Sequence, residues 1–159
     1  MTFAILLFSL STPAHAVELR VGGALSADGS VGLVTGIPRL GVHPGVSALL
    51  GGADQGLQVD ARYQMFRAYG RTERFPTLGL SWSMGWGDRD VRPYHTLGAA
   101  VALTGVMDTA LAPALPLGVA GGGVEIQREQ LWVRAGLQAF FAPAPALGAG
   151  PSLIAGWTF

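Results

Sequence analysis

The chain of 159 residues has no cysteine, and only 13% of its residues are charged. Without cysteine there is no disulfide staple, no thiol nucleophile and no thiolate metal site, so stability must come from packing and hydrogen bonds. Its ten basic residues, all arginine, balance ten acidic ones to a formal net charge of zero. No basic field exists to attract nucleic acid. Long apolar runs are also missing: after residue 16 nothing approaches the roughly 20 consecutive apolar residues of a transmembrane helix. Yet half of the residues are hydrophobic, a balance too apolar for disorder and oily for an ordinary soluble domain. The surplus apolar surface is expected to face lipid by some route other than a helix.

The N-terminus reads as an export signal. Residues 3–10, FAILLFSL, form a short apolar run followed by a Ser-Thr-Pro break and the small-residue pattern Ala14-His15-Ala16. Cleavage is expected after Ala16, which makes 1–16 a signal peptide and 17–159 a single mature domain. The segment MTF that precedes the apolar run lacks the usual Lys or Arg.

The mature chain alternates with period two. Gln58, Asp60, Arg62 and Gln64 alternate with Leu57, Val59, Ala61, Tyr63 and Met65, which puts polar side chains on one face of a strand and apolar ones on the other. The same phase runs through 17–21 and 131–138, and again through Leu78, Leu80, Trp82, Met84 and Trp86 against Gly79, Ser81, Ser83 and Gly85. A helix would scatter these residues into no coherent stripe. Candidate strands fall near 17–26, 39–50, 56–69, 77–87, 91–104, 115–127, 130–142 and 147–159. Several reach the ~9 to 11 residues of a tilted membrane-spanning strand, above the soluble average of about 5 to 6.

Between them, GGADQ, GDRDV and QREQ are short polar turns, whereas 27–38, 105–114 and 143–146 are longer or rich in proline and glycine, and 70–76 is intermediate. Short turns at one end and longer loops at the other fit a barrel whose short turns face the periplasm. No repeat of 20 to 50 residues interrupts this order, so the expected fold is all-β: one closed antiparallel up-and-down transmembrane barrel of about eight strands. Closure removes the edges that such apolar strands would expose. The 24 glycines suit turns and a crowded interior, and Gly121-Gly122-Gly123 is expected to mark a bulge.

The last strand carries a family resemblance. Leu153, Ala155, Trp157 and Phe159 share one face against Ser152, Gly156 and Thr158, and the sequence given stops at an aromatic residue. This resembles the terminal strand of small bacterial outer-membrane barrels of the OmpA, OmpX and OmpW type. The resemblance is sequence-specific only in this segment. It implies that Leu153, Trp157 and Phe159 serve as an assembly signal, with Ala155 a small substitute. It also implies that the barrel-assembly machinery and outer-membrane lipids are the partners, and that the Gram-negative outer membrane is the location.

Little in the sequence carries chemistry. Glu18, Arg20, Asp60, Arg62, Glu125 and Arg134 all fall on the expected inward face, where mixed charges can pair as a lumen network. Eight strands enclose a space just wide enough for side chains, which disfavours an open pore. His43 and His95 have no second histidine at metal-ligand spacing. Small barrels that deacylate lipid A use a His-x-Ser motif, and here His95-Thr96-Leu97 and His43-Pro44-Gly45 lack the serine. No catalytic, cofactor or metal site is expected. Asp88-Arg89-Asp90 reads as a charged turn, and Trp82, Trp86, Trp132, Trp157, Tyr63, Tyr69 and Tyr94 read as girdle or packing residues. The expected function is non-enzymatic: envelope structure, adhesion or passage of a small solute. An outer-membrane lipid-modifying enzyme and a soluble secreted lipocalin-like barrel are the alternatives.

Overall fold

A computed structural model describes residues 17–32, 38–52, 54–68, 71–87, 90–103, 114–142 and 146–159. The expected signal peptide, Tyr69, Asp88 and Arg89, and most of the long connections lie outside these residues. Eight strands follow one another: β1 (Glu18–Gly32), β2 (Pro38–Gly51), β3 (Gln55–Ala68), β4 (Arg71–Gly85), β5 (Val91–Ala102), β6 (Leu115–Arg128), β7 (Leu131–Ala142) and β8 (Ala146–Thr158). Each pairs antiparallel with its sequence neighbours, and β8 returns to β1 to close the barrel. The seam is fastened at the terminal end, where the Leu19 N–H donates to the Phe159 carbonyl at 3.3 Å and the Phe159 N–H to the Leu19 carbonyl at 2.8 Å.

The alternation that marks the strands also fixes their orientation. On β3, Gln58, Asp60, Arg62 and Gln64 are all buried in the lumen, while Leu57, Val59 and Tyr63 are exposed on the outside. On β4 the outward set Leu78, Leu80, Trp82 and Met84 stands against buried Thr77, Ser81 and Ser83. The order is inside out relative to a soluble barrel: polar groups fill the interior and leucines and valines cover the exterior. Only a hydrocarbon surround makes that arrangement favourable, since apolar area left in water would forfeit about 25 cal/mol per Å².

Three expectations are corrected. Residues 27–32 belong to β1 and not to a loop, because Ser26 and Asp28 continue the inward phase and are buried in the lumen, and the pairing with β2 runs on to Val31↔Pro38. Residues 71–76 belong to β4, whose register with β3 runs unbroken through Tyr63↔Pro76 to Ala68↔Arg71. Pro76 removes a single donor from the ladder and leaves the pairing in place. Finally, Gly121-Gly122-Gly123 is no bulge. These residues pair in register with Thr96, His95 and Tyr94 on one side and with Gln138, Leu137 and Gly136 on the other. Their use is close approach: a Cβ on Gly123 would collide with the Ala135 carbonyl.

The two-residue turn Glu129-Gln130 between β6 and β7 holds Glu129 in the left-handed region at φ 51°. It lies at the same barrel end as Glu18 and Phe159, opposite the longest connection, 103–114, which makes it the periplasmic end by the rule that the longer loops face outward.

Candidate functional site

The lumen is layered along the barrel axis. Its periplasmic half is built on Glu125, which β6 directs inward and which is completely buried. Arg20 of β1 donates from Nη1 to Glu125 Oε1 at 2.9 Å, and Arg92 of β5 donates from Nε to the same oxygen at 2.9 Å and from Nη2 as well. Arg134 of β7 donates from Nε to Oε2. One carboxylate thus holds guanidinium groups from three other strands across the barrel. The pattern suits Arg, whose rigid fork of donors binds several acceptors in fixed directions.

The network continues outward. Arg20 Nη2 also pairs with Glu18 Oε2 at 2.8 Å. Arg134 Nη1 donates to Gln58 Oε1 at 2.7 Å, and Gln58 Nε2 donates to Asp60 Oδ2 at 2.9 Å. Asp60 Oδ1 lies 3.3 Å from Arg62 Nη2, while Arg62 Nη1 donates to Ser26 Oγ at 2.7 Å and to Gln138 Oε1 at 2.6 Å. Aromatic rings pack it: the Arg134 guanidinium lies 4.4 Å from the Tyr94 ring centre and 5.4 Å from that of Trp132. Trp132 is wholly buried beside Ala24 and Ile154, and Tyr94 is buried too. Both therefore pack the lumen, while Trp82, Trp86, Trp157 and Tyr63 stay on the outer surface.

All six residues expected in the lumen are thus joined in one network. Arg92 was missed, although Arg92, Tyr94 and Thr96 alternate with Val91, Pro93 and His95 in a phase that would have found it. Gln58 and Gln138 fall in the expected inward phase and, like Ser26, prove to be partners of the network, which the charged residues alone did not indicate.

The outer half of the lumen differs. There His43 of β2 is fully buried, accepts a hydrogen bond at Nδ1 from the Met65 N–H at 3.4 Å, and lies with Nε2 3.1 Å from Asp28 Oδ1. Its ring packs against Phe66 at 4.7 Å, and Phe66 stacks on Phe75 at 5.8 Å. His95 by contrast lies on the outside, its ring 5.0 Å from that of Trp86. Neither histidine is hydrogen-bonded to a serine or threonine hydroxyl among the described residues.

No family model matches the sequence, and no curated protein does. Solved structures do match in fold. The attachment invasion locus protein Ail of Yersinia pestis superposes with a TM-score of 0.60 at 12% identity, over 90% of this chain and 99% of that one. Neisserial surface protein A gives 0.59 at 17% identity over 88% and 95%. The N-terminal β-barrel domain of Pseudomonas aeruginosa OprF gives 0.57 at 14% identity over 87% and 97%. With its apolar exterior, the chain has the fold of the small eight-stranded outer-membrane β-barrels.

Proposed function

We propose that the chain is a non-enzymatic envelope protein whose barrel is sealed on its periplasmic side and does not conduct. The Glu125 cluster carries this reading: four strands send charged side chains to one point in a lumen already too narrow for more than side chains. Two mid-lumen voids of about 10 Å³ each hold at most one water apiece. Passage of a solute from end to end is therefore the least supported of the roles weighed for it. In planar lipid bilayers the wild-type protein should give no stable conductance steps. Steady channel currents from wild type would sink the sealed reading.

The same proposal includes assembly through the last strand. Leu153, Trp157 and Phe159 are all exposed on the lipid-facing side, Phe159 to 77%. A ring so exposed contributes far less packing than the ~3 kcal/mol of a buried aromatic. Deleting Phe159 should accordingly lower outer-membrane abundance in cells much more than it lowers the unfolding midpoint of protein refolded in detergent. Phe141→Ala, an outward aromatic of β7, is the control. Abundance losses in proportion to stability for both changes would make Phe159 a packing residue only.

A further inference from the structure

The loop end of the lumen contains a cavity of about 110 Å³. Phe66, Phe75, Leu115, Leu117 and Phe140 line its walls, and Asp28 and Gln64 its floor. Apolar side chains facing into a membrane barrel run against the usual polar interior, and elsewhere in this lumen Leu49, Val119, Trp132 and Ile154 stand among charged and polar groups. In size the cavity approaches the engineered apolar cavity of about 150 Å³ that admits benzene. It suits one aromatic ring or a short alkyl chain.

The floor decides the chemistry of the occupant. Asp28 is 6% exposed, and among the described residues its Oδ1 receives no hydrogen bond, since the 3.1 Å approach of His43 Nε2 is off hydrogen-bond geometry. Deeper in the lumen, Arg62 is committed to Asp60, Ser26 and Gln138, so among the described residues no guanidinium is placed on this oxygen. A buried carboxylate in this position calls for a cation or a strong donor. We propose that the cavity binds small hydrophobic amines, with the ring or alkyl group among the phenylalanines and the ammonium donating to Asp28. This goes beyond the sealed-barrel reading and does not depend on it, because the cavity lies on the outer side of the Glu125 cluster.

The test uses the full mature chain in lipid nanodiscs, with benzylamine, benzyl alcohol and benzoate as probes and backbone amide shifts as the readout. Benzylamine should titrate the amides of Asp28, Gln64, Phe66 and Phe140 saturably, with benzyl alcohol about tenfold weaker and benzoate weaker still, as expected for a charge-assisted bond. Asp28→Asn should lower benzylamine affinity about tenfold or more while leaving benzyl alcohol within roughly twofold. Leu117→Trp should fill the cavity and abolish both, and it decides the matter alone if Asp28→Asn gives no folded band on cold gels. Equal affinity for the three probes, unchanged benzylamine binding in Asp28→Asn or in Leu117→Trp, or shifts confined to outward residues such as Leu78 and Leu97 would overturn the proposal.

Discussion

Glu125→Gln should destabilise the barrel by about 3 to 5 kcal/mol, the usual cost of removing one partner from a buried ion cluster. The change is nearly isosteric, so the loss would report charge and not volume. Arg20 retains Glu18, but Arg92 and Arg134 lose the only carboxylate to which they donate among the described residues, and all three guanidinium groups then share a space 2% exposed or less. Urea unfolding in lipid vesicles, followed by the difference between folded and unfolded bands on cold gels, measures it directly. A shift below about 1 kcal/mol would mean that water already screens the cluster. A second variant separates stability from architecture. Replacing Glu125, Arg92 and Arg134 together by leucine or methionine removes charge and counter-charge at once, and such exchanges are often neutral or stabilising by about 1 to 4 kcal/mol. If the triple variant recovers the stability that Glu125→Gln loses, the cluster is retained for how it fills and closes the lumen.

How much of this was legible beforehand follows from where each face of a strand points. The exterior was readable because lipid selects one chemistry across the middle of the strands: Leu57 and Val59, then Leu78 and Leu80, hold alternate positions on the outward face, as Leu153 does on β8. The lumen was only half readable. Charged residues such as Arg20, Asp60 and Arg134 announce themselves against apolar neighbours. Ser26 and Asp28 do not, since a run such as Ala-Asp-Gly-Ser has the composition of a turn whether it is one or lies in a strand facing a polar interior. The same ambiguity hid residues 71–76 of β4.

The apolar cavity escaped for a different reason. Phe66, Phe75, Leu115 and Phe140 sit on four different strands, and each alone reads as an ordinary hydrophobic residue near a strand end. Nothing in one-dimensional spacing says that they converge. Nor did the sequence show that His43 faces inward, because the phase of β2 is carried by weak signals: Gly41, His43, Gly45 and Ser47 against Val42, Pro44, Val46 and Ala48.

The lipid-facing assignment itself rests on a depth dependence that water cannot imitate. Leu78 lies at the middle of β4, 55% exposed, and Leu40 near the loop end of β2, 73% exposed. For a soluble protein the two positions are equivalent, and an arginine at either would change stability by about 0.5 kcal/mol or less, as surface substitutions do. In a bilayer they are not. An arginine at the midplane costs about 2 to 4 kcal/mol and one near the interface about 0 to 1. Leu78→Arg should therefore lower stability in lipid vesicles by that larger amount while Leu40→Arg stays close to wild type, and Leu78→Ile, which keeps the hydrocarbon, should change little. The measurement is the urea midpoint of each variant in vesicles. Midpoint losses that are equal for the two arginines, or negligible for Leu78→Arg, would show that β4 does not cross the hydrocarbon, and the membrane orientation of the whole barrel would fall with it.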